Sequence, residues 1–134
     1  MAHWLVKSEP ETWSWDAHVK KGVDPWTGVR NFQARAHLAA MKPGDQVLYY
    51  HSGDAKAVVG VSEVVGAAYP DPTDADGKFL AVDLKAIRPL KQPVTLSQIK
   101  ADAALKDMVL VRNSRLSVQP VSAEEWKRVL GMAG

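Results

Sequence analysis

The sequence predicts a small mixed fold, α/β or α+β, with a curved or closed sheet and short flanking helices. Three observations predict it. Apolar stretches of strand length recur at His3–Lys7, Val47–His51, Ala57–Ala68, Lys78–Arg88, Met108–Arg112 and Arg115–Val118. Helix-capping signatures stand between or after them, at Ser8, Asn31, Thr95 and Ser122. The 134 residues suffice for one domain with a real core and not for two independent ones, so one domain over 1–134 is expected.

In the first strand Trp4 and Val6 alternate against Leu5. Ser8-Glu9-Pro10-Glu11 is an S-x-x-E capping box with proline in the first turn, and predicts a helix from about Glu9 to Lys20 that Gly22 closes. On such a helix Trp13 and Trp15 cannot share a face, so one is expected buried and the other partly exposed. Val23–Gly28 reads as a loop. Asn31 can cap the next helix, with Ala34, Leu38, Ala39 and Met41 as its apolar stripe and Pro43-Gly44-Asp45 as its end. Val47–His51 follows as a buried strand, Val47, Tyr49 and His51 on one face and Leu48, Tyr50 and Ser52 on the other; one of these faces is expected to leave the core, and Tyr49 or Tyr50 to point inward.

Ser52-Gly53-Asp54 is a turn, and the β-rich run Ala57–Ala68 contains Gly60 and Gly66, which suggest bends or bulges. Tyr69–Gly77 is a polar, proline-rich loop. Lys78–Arg88 alternates with Leu80, Val82, Leu84 and Ala86 inward, and Pro89 and Pro93 are expected to stop it. Thr95-Leu96-Ser97-Gln98 opens a short helix to about Ala101, and Ser122-Ala123-Glu124-Glu125 caps a terminal helix carrying Trp126, Val129 and Leu130. No repeat or low-complexity tract interrupts the pattern.

Composition excludes several classes. The chain has no cysteine, hence no disulfide, thiol nucleophile or thiolate zinc site. A net charge of +2 tolerates a polyanion without demanding one. Neither a signal peptide nor a membrane span is seen, and without a basic localisation run a soluble, cytoplasmic, bacterial-type protein is expected. Catalytic patterns are sparse. Ser97-Gln98-Ile99-Lys100 matches S-x-x-K without a companion motif, and Gly60-Val61-Ser62-Glu63-Val64 misses a nucleophile elbow at its last position. His3, His18, His37 and His51 form no H-x-x-x-H pair, the Asp71, Asp74 and Asp76 loop lacks calcium-loop spacing, and no phosphate loop or dinucleotide fingerprint occurs. No cofactor or metal is implied.

Binding constellations are richer. Five tryptophans stand in the chain, and Trp4, Trp13, Trp15, Trp26, Tyr49 and Tyr50 accompany Arg30, Asn31, Arg35, His51, Arg112 and Arg115. Planar rings with guanidinium and amide groups suit an unstacked nucleobase, where an aromatic face contributes about 1–3 kcal/mol, cations hold phosphates and amides read the base edge. Trp4 and Trp126 are expected in the core. Trp26, between a proline and a glycine in a loop, is the better candidate for a site.

Several segments in order, Trp4-Leu5-Val6-Lys7-Ser8-Glu9-Pro10, Trp26-Thr27-Gly28-Val29-Arg30-Asn31 with Gln33-Ala34-Arg35, Gly44-Asp45, Tyr50-His51-Ser52, Ala68-Tyr69-Pro70-Asp71 and Ser114-Arg115-Leu116-Ser117-Val118, together resemble an EVE domain. The resemblance spans nearly the whole chain. It implies a PUA-like fold, a curved or barrel-like mixed sheet with flanking helices, related to YTH, ASCH and SRA-type readers. It further implies a non-enzymatic module that binds nucleic acid, DNA or RNA, and reads a modified base such as 5-methylcytosine flipped into an aromatic pocket. On that resemblance the pocket comprises Lys7, Ser8, Glu9, Trp26, Val29, Arg30, Asn31, Tyr50, His51, Ser52, Arg115, Leu116 and Ser117. Trp26 is the candidate stacking face, Ser8 and Asn31 the edge readers, and Arg30, Arg35 and Arg115 the phosphate or wall residues. Extrusion of a base costs a few kcal/mol, which a snug pocket can offset without a long phosphate track; a methyl group alone discriminates by about 1–3 kcal/mol. The alternatives are a module for a free nucleobase or nucleoside, or an enzyme acting on modified nucleotides. A monomer that recruits a separate effector protein is expected.

Overall fold

The structure, a computed structural model, describes residues 2–11, 13–113 and 115–133. Ser114, part of the family-like segment before Val118, lies outside the described residues. Among the described residues seven strands form one mixed sheet: β1 His3–Ser8, β2 Val23–Trp26, β3 Gln46–His51, β4 Ala57–Val64, β5 Tyr69–Pro70, β6 Leu80–Thr95 and β7 Val118–Val121. The order across the sheet is β2-β6-β4-β3-β1-β7, with β5 paired to β6, and the sheet does not close. β1 and β3 are parallel; the other pairs are antiparallel. The mixed α+β class therefore holds, with an open sheet in place of a closed one.

Both faces of this sheet are covered. Helices α1 Trp15–Lys21 and α2 Phe32–Ala40 lie on one side, where Trp4, Val6, Val47, Tyr49, Val82 and Leu84 pack with Trp15, Ala34 and Leu38. On the other, α3 Leu96–Ala101, a 3₁₀ turn at Ala103–Leu105, α4 Val109–Arg112 and α5 Ala123–Met132 bury Leu5, Leu48, Tyr50, Val61, Ile99, Leu110, Trp126 and Val129. The expectation that one face of the Val47 strand leaves the core is thus wrong. β3 lies centrally between β4 and β1, and both Tyr49 and Tyr50 are buried.

Other departures have local causes. The helix expected from Glu9 begins only at Trp15, capped by Ser14, whose Oγ accepts from Ala17 N–H at 3.1 Å. Ser8 is held in β1 opposite His51, and Ser52 N–H donates to its carbonyl at 2.9 Å, so the chain leaves Ser8 in a strand, and Trp13 N–H reaches back to the Glu9 carbonyl at 2.9 Å. Trp13 consequently precedes the helix; it is half-buried and Trp15 is buried. Val23–Trp26, expected as a loop, is edge strand β2, where Pro25 is tolerated because one side of the strand is unpaired. Tyr69–Pro70, expected within a loop, pairs with Ala81 and Leu80.

β6 runs through Pro89 and Pro93 to Thr95 because β2 flanks it only along Val82–Lys85, so beyond that point one edge demands no amide donors. Its register with β4 slips between Val58 and Gly60 and between Val61 and Ser62, which fits the expectation of a bulge at Gly60. Gly60 also admits the Trp15 ring: a Cβ there would lie 2.6 Å from three of its ring carbons. Gly66 lies beyond the end of β4 at Val64. Met108–Arg112, expected as a strand, folds instead as α4, a short apolar run whose periodicity does not separate the two states. The last strand is Val118–Val121 rather than Arg115–Val118.

The caps at Asn31, Thr95 and Ser122 form as expected, the last two as full capping boxes. In α2, Ala34, Leu38 and the following Met41 are buried while Ala39 is exposed and leaves the stripe. Among the described residues no helix is long and apolar enough to cross a membrane.

Candidate nucleic-acid interface

Asp24 begins the site. β2 alternates with Val23 and Pro25 outward and Asp24 and Trp26 inward, so a carboxylate is carried beneath the sheet edge and buried to 3% exposure. It acquires partners accordingly. Its Oδ2 accepts from Trp13 Nε1 at 2.9 Å and meets His18 Nδ1 at 2.8 Å, while Lys21 Nζ lies 3.3 Å from Oδ1. His18 Nε2 in turn lies 2.8 Å from Ser62 Oγ. Asp24 thereby fixes the Trp13 indole, over which Lys21 Nζ lies 6.0 Å from the ring centroid.

From Trp26 the chain turns through Thr27, Gly28 and Val29 to Arg30. Gly28 has φ +82°, a conformation side chains oppose, and its N–H donates to Asp71 Oδ2 at 2.8 Å. Arg30 Nη1 donates to the same oxygen at 3.0 Å, and Arg30 Nη2 to Thr73 Oγ1 at 2.9 Å. Thr73 N–H and Oγ1–H both donate to Asp71 Oδ1 at 2.7 Å. Burial alone would raise the Asp71 carboxyl, yet the hydrogen bonds from Thr73, Gly28 and Arg30 outweigh it and bring it down to about 2. A buried carboxylate, ionised at neutral pH, thus clamps the turn and the guanidinium together.

Opposite stand Lys7, Ser8 and Glu9 at the end of β1. Lys7 N–H donates to the Ser117 carbonyl at 3.0 Å, which brings the approach to β7 into the same corner. Ser8 Oγ and Tyr49 Oη both donate to the Trp13 carbonyl, at 2.6 and 2.8 Å. Burial holds the Lys7 ammonium below the ordinary lysine range, and its Nζ lies 5.7 Å from the Tyr50 ring centroid. Burial likewise pushes the Tyr49 phenol up to about 12.

These segments enclose a cavity of about 550 Å³ lined by Lys7, Ser8, Glu9, Trp13, Lys21, Asp24, Pro25, Trp26, Thr27, Gly28, Val29, Arg30 and Ser117. Its size is that of sites for small organic ligands, roughly 300–1,000 Å³. Trp13 and Trp26 are among its lining with Lys7, Lys21, Arg30, Glu9 and Asp24, and Lys21 and Arg30 are ion-paired to Asp24 and Asp71.

Of the residues expected in the pocket, Lys7, Ser8, Glu9, Trp26, Val29, Arg30 and Ser117 line this cavity, and the other six do not. Asn31 is exposed, its Oδ1 accepting from Ala34 N–H at 2.9 Å as the cap of α2. Tyr50 packs into the opposite core, and Leu116 is buried beside Trp4 and Leu38 on the α1–α2 side. His51 Nε2 accepts from Trp15 N–H at 2.9 Å, and Ser52 binds the Ser8 carbonyl through its backbone. Arg115 is exposed away from the lining, and Arg35 Nε donates to the Lys78 carbonyl at 2.6 Å. Trp26 is only 9% exposed and meets Tyr49 edge-on, with ring centroids 5.6 Å apart.

Sequence reasoning missed Trp13, Lys21, Asp24, Pro25, Thr27 and Gly28. The alternation of Val23 and Pro25 with Asp24 and Trp26 was the available signal. Once Val23–Trp26 is a strand, Asp24 must point the same way as Trp26.

The Asp24–His18–Ser62 chain has the order of a hydrolytic triad, a set the sequence did not reveal. It cannot serve as one, because Ser62 and His18 are fully buried and neither borders the cavity. A nucleophile needs room for the acyl or phosphoryl group it attacks.

Comparison with known proteins identifies the family. The family model described as EVE domain matches residues 2–132. Thymocyte nuclear protein 1 of Gallus gallus is 37% identical over 97% of this chain and 68% of its own length. The solution NMR structure of Rpa0253 from Rhodopseudomonas palustris superposes with a TM-score of 0.95 at 58% identity, over 100% of this chain and 94% of that one. Human THYN1 in complex with 5-methylcytosine-containing DNA superposes with a TM-score of 0.92 at 32% identity, covering 99% of this chain and 98% of that one. With the family model covering nearly every residue and this fold and corner in place, the chain belongs to the EVE domain family.

Proposed function

We propose that this protein is a nucleic-acid-binding module that takes one modified base, 5-methylcytosine or a related one, out of its strand and into the cavity between Trp13 and Trp26. The observation that carries the reading is the pairing of two indole walls with Lys7, Lys21 and Arg30 around a cavity of about 550 Å³. A base slid against indole gains about 1–3 kcal/mol, comparable with the few kcal/mol that extrusion costs. Glu9 offers an acceptor for an exocyclic amino group, and the cations take the adjoining phosphates. The complex of human THYN1 with 5-methylcytosine-containing DNA supports the same ligand class here.

The module is a reader and performs no reaction in this scheme. It acts as one domain and as a monomer, and any downstream effect passes through a separate effector protein. A cytoplasmic setting accords with the lack of a basic localisation run, although relatives of similar sequence are named as nuclear proteins.

The test is a fluorescence titration with short oligonucleotides carrying cytosine, 5-methylcytosine or 5-hydroxymethylcytosine, and with the free nucleosides. Trp26→Ala would open a hole in the core, so Trp26→Phe and Trp13→Phe are the variants to use. Tighter quenching by a modified strand, weakened in both variants, is expected. Oligonucleotide affinity should fall with salt, whereas that of the nucleoside should not. Equal, salt-independent affinity for strand and nucleoside would replace the reader with a nucleoside-binding module.

A further inference from the structure

Phe32 is 67% exposed, the largest exposure among the large apolar side chains identified as exposed. A lone exposed phenylalanine needs no explanation, but this one is not alone. Its ring lies 4.9 Å from that of Phe79, tilted by 32°, and the Arg30 guanidinium carbon lies 5.5 Å from the Phe79 centroid on the way to the cavity. Two steps of about 5 Å therefore connect the cavity rim to an open aromatic face.

The ladder is held from both sides. Asp71 and Thr73 fix Arg30, and Asp74 accepts from the backbone amides of Asp76, Lys78 and Phe79, which sets the turn carrying the second ring. Arg35 Nε clasps the Lys78 carbonyl and so ties α2 to that turn. Arg30 thus lies against Phe79, and Arg35 is anchored to the same turn, whose Asp71 and Asp74 carboxylates are taken up in hydrogen bonds.

We infer that Phe32, backed by Phe79 and Arg30, is an outer stacking site for the nucleobase next in the strand to the one held in the cavity. This rests on the reading proposed above and extends it from one nucleotide to two. An open ring beside cations suits a base on a charged backbone, since every base has a stackable face and the phosphate joining the two bases passes Arg30. Its continuity with the cavity rim through Arg30 makes the neighbouring nucleotide of the same strand a better-matched occupant than an apolar peptide.

The experiment uses the full chain and a short single-stranded oligonucleotide bearing 5-methylcytosine with 2-aminopurine beside it, on the 5′ or the 3′ side. A second strand has an abasic neighbour in its place. Binding should quench the 2-aminopurine in the native protein. Phe32→Ala, at an exposed site that leaves the core intact, should weaken the oligonucleotide roughly five- to a hundredfold and relieve the quenching. Phe32→Tyr should restore both. The abasic strand should bind native protein and Phe32→Ala alike, and so should free 5-methyldeoxycytidine, because Phe32 does not line the cavity.

Unchanged affinity and quenching in Phe32→Ala, with discrimination for the modified base intact, would overturn the outer site and leave the cavity reading standing. Loss of affinity in Phe32→Ala without any preference for the modified base would sustain the outer site and overturn the cavity reading. Failure of every strand to bind native protein would overturn both.

Discussion

Asp71→Asn isolates the clamp that shapes the cavity rim. The native carboxylate is buried, and four donors converge on it: Gly28 N–H and Arg30 Nη1 on Oδ2, Thr73 N–H and Oγ1–H on Oδ1. An asparagine keeps the shape but has one acceptor oxygen, so its NH₂ must face two of these donors. The cheaper orientation points NH₂ at Thr73, whose hydroxyl can rotate to accept. One bond, that of Thr73 N–H, is then lost, and the Arg30 bond loses its charge assistance. At about 1.5–3 kcal/mol for bonds to charged groups, discounted because the Arg30 side chain is 40% exposed and can hydrate, the net cost is about 2 kcal/mol.

For a chain of 134 residues that is a fall of about 6–10 °C in Tm near neutral pH. The folded carboxyl titrates at about 2 against an ordinary 3.8, so its stabilisation is fully present above pH 3.8 and is lost as pH falls from there toward 2. Asparagine does not titrate. Thermal melts of native protein and Asp71→Asn at pH 7, 5, 4 and 3 should therefore show a constant gap down to about pH 4 that narrows at pH 3. A gap that does not change with pH, or one below about 1 °C at pH 7, would refute the clamp.

Three further outcomes follow from the packing. Gly60→Ala drives a methyl to within 2.6 Å of the Trp15 ring and should cost about 1–3 kcal/mol in urea unfolding, the usual cost of overpacking, with Trp15 emission altered as its ring moves. His18→Leu removes the partner of Ser62 and one partner of Asp24 inside the core, and should cost about 3 kcal/mol by the same assay. Ser122→Ala deletes the capping box of α5 and should cost about 1 kcal/mol, read as earlier loss of helical circular dichroism on heating.

How far the sequence discloses this fold depends on whether the signal is local. Asn31, Thr95 and Ser122 cap helices through residues three positions away, and their sequence patterns are sufficient. Ser8 carries the same pattern and fails, because β1 is held by pairing with β3, some forty residues away, before its end can start a helix. Pro89 and Pro93 look like strand breakers until β2 proves too short to need their amides. The site divides likewise. Lys7 to Glu9, and Trp26, Val29 and Arg30, lie in short segments singled out in the sequence by their family-like motifs, and all are on the cavity wall. Trp13 and Asp24 meet only through a hydrogen bond across eleven positions, and Asp71 reaches Gly28 across forty-three.

The position of the cavity is a consequence of the two cores. With helices on both faces of the sheet, this cavity opens at strand ends, where β1 finishes at Ser8, β2 finishes at Trp26 and β7 begins after Ser117. At such an end the chain leaves its ladder, and polar groups must find partners outside it. The buried side-chain relay from Ser62 through His18 to Asp24 adds a second tie. It ties β4, in the middle of the sheet, to the indole of Trp13 on the cavity wall, with 2.8 Å at each imidazole nitrogen and 2.9 Å at the indole. A carboxylate that only accepts sets the imidazole with Nδ1 as donor, which leaves Nε2 for the serine. What resembles a catalytic relay in composition is, by burial, a strut. It anchors the Trp13 indole on the cavity wall to the middle of the sheet, a supporting shell of the kind that keeps a lining side chain in one place.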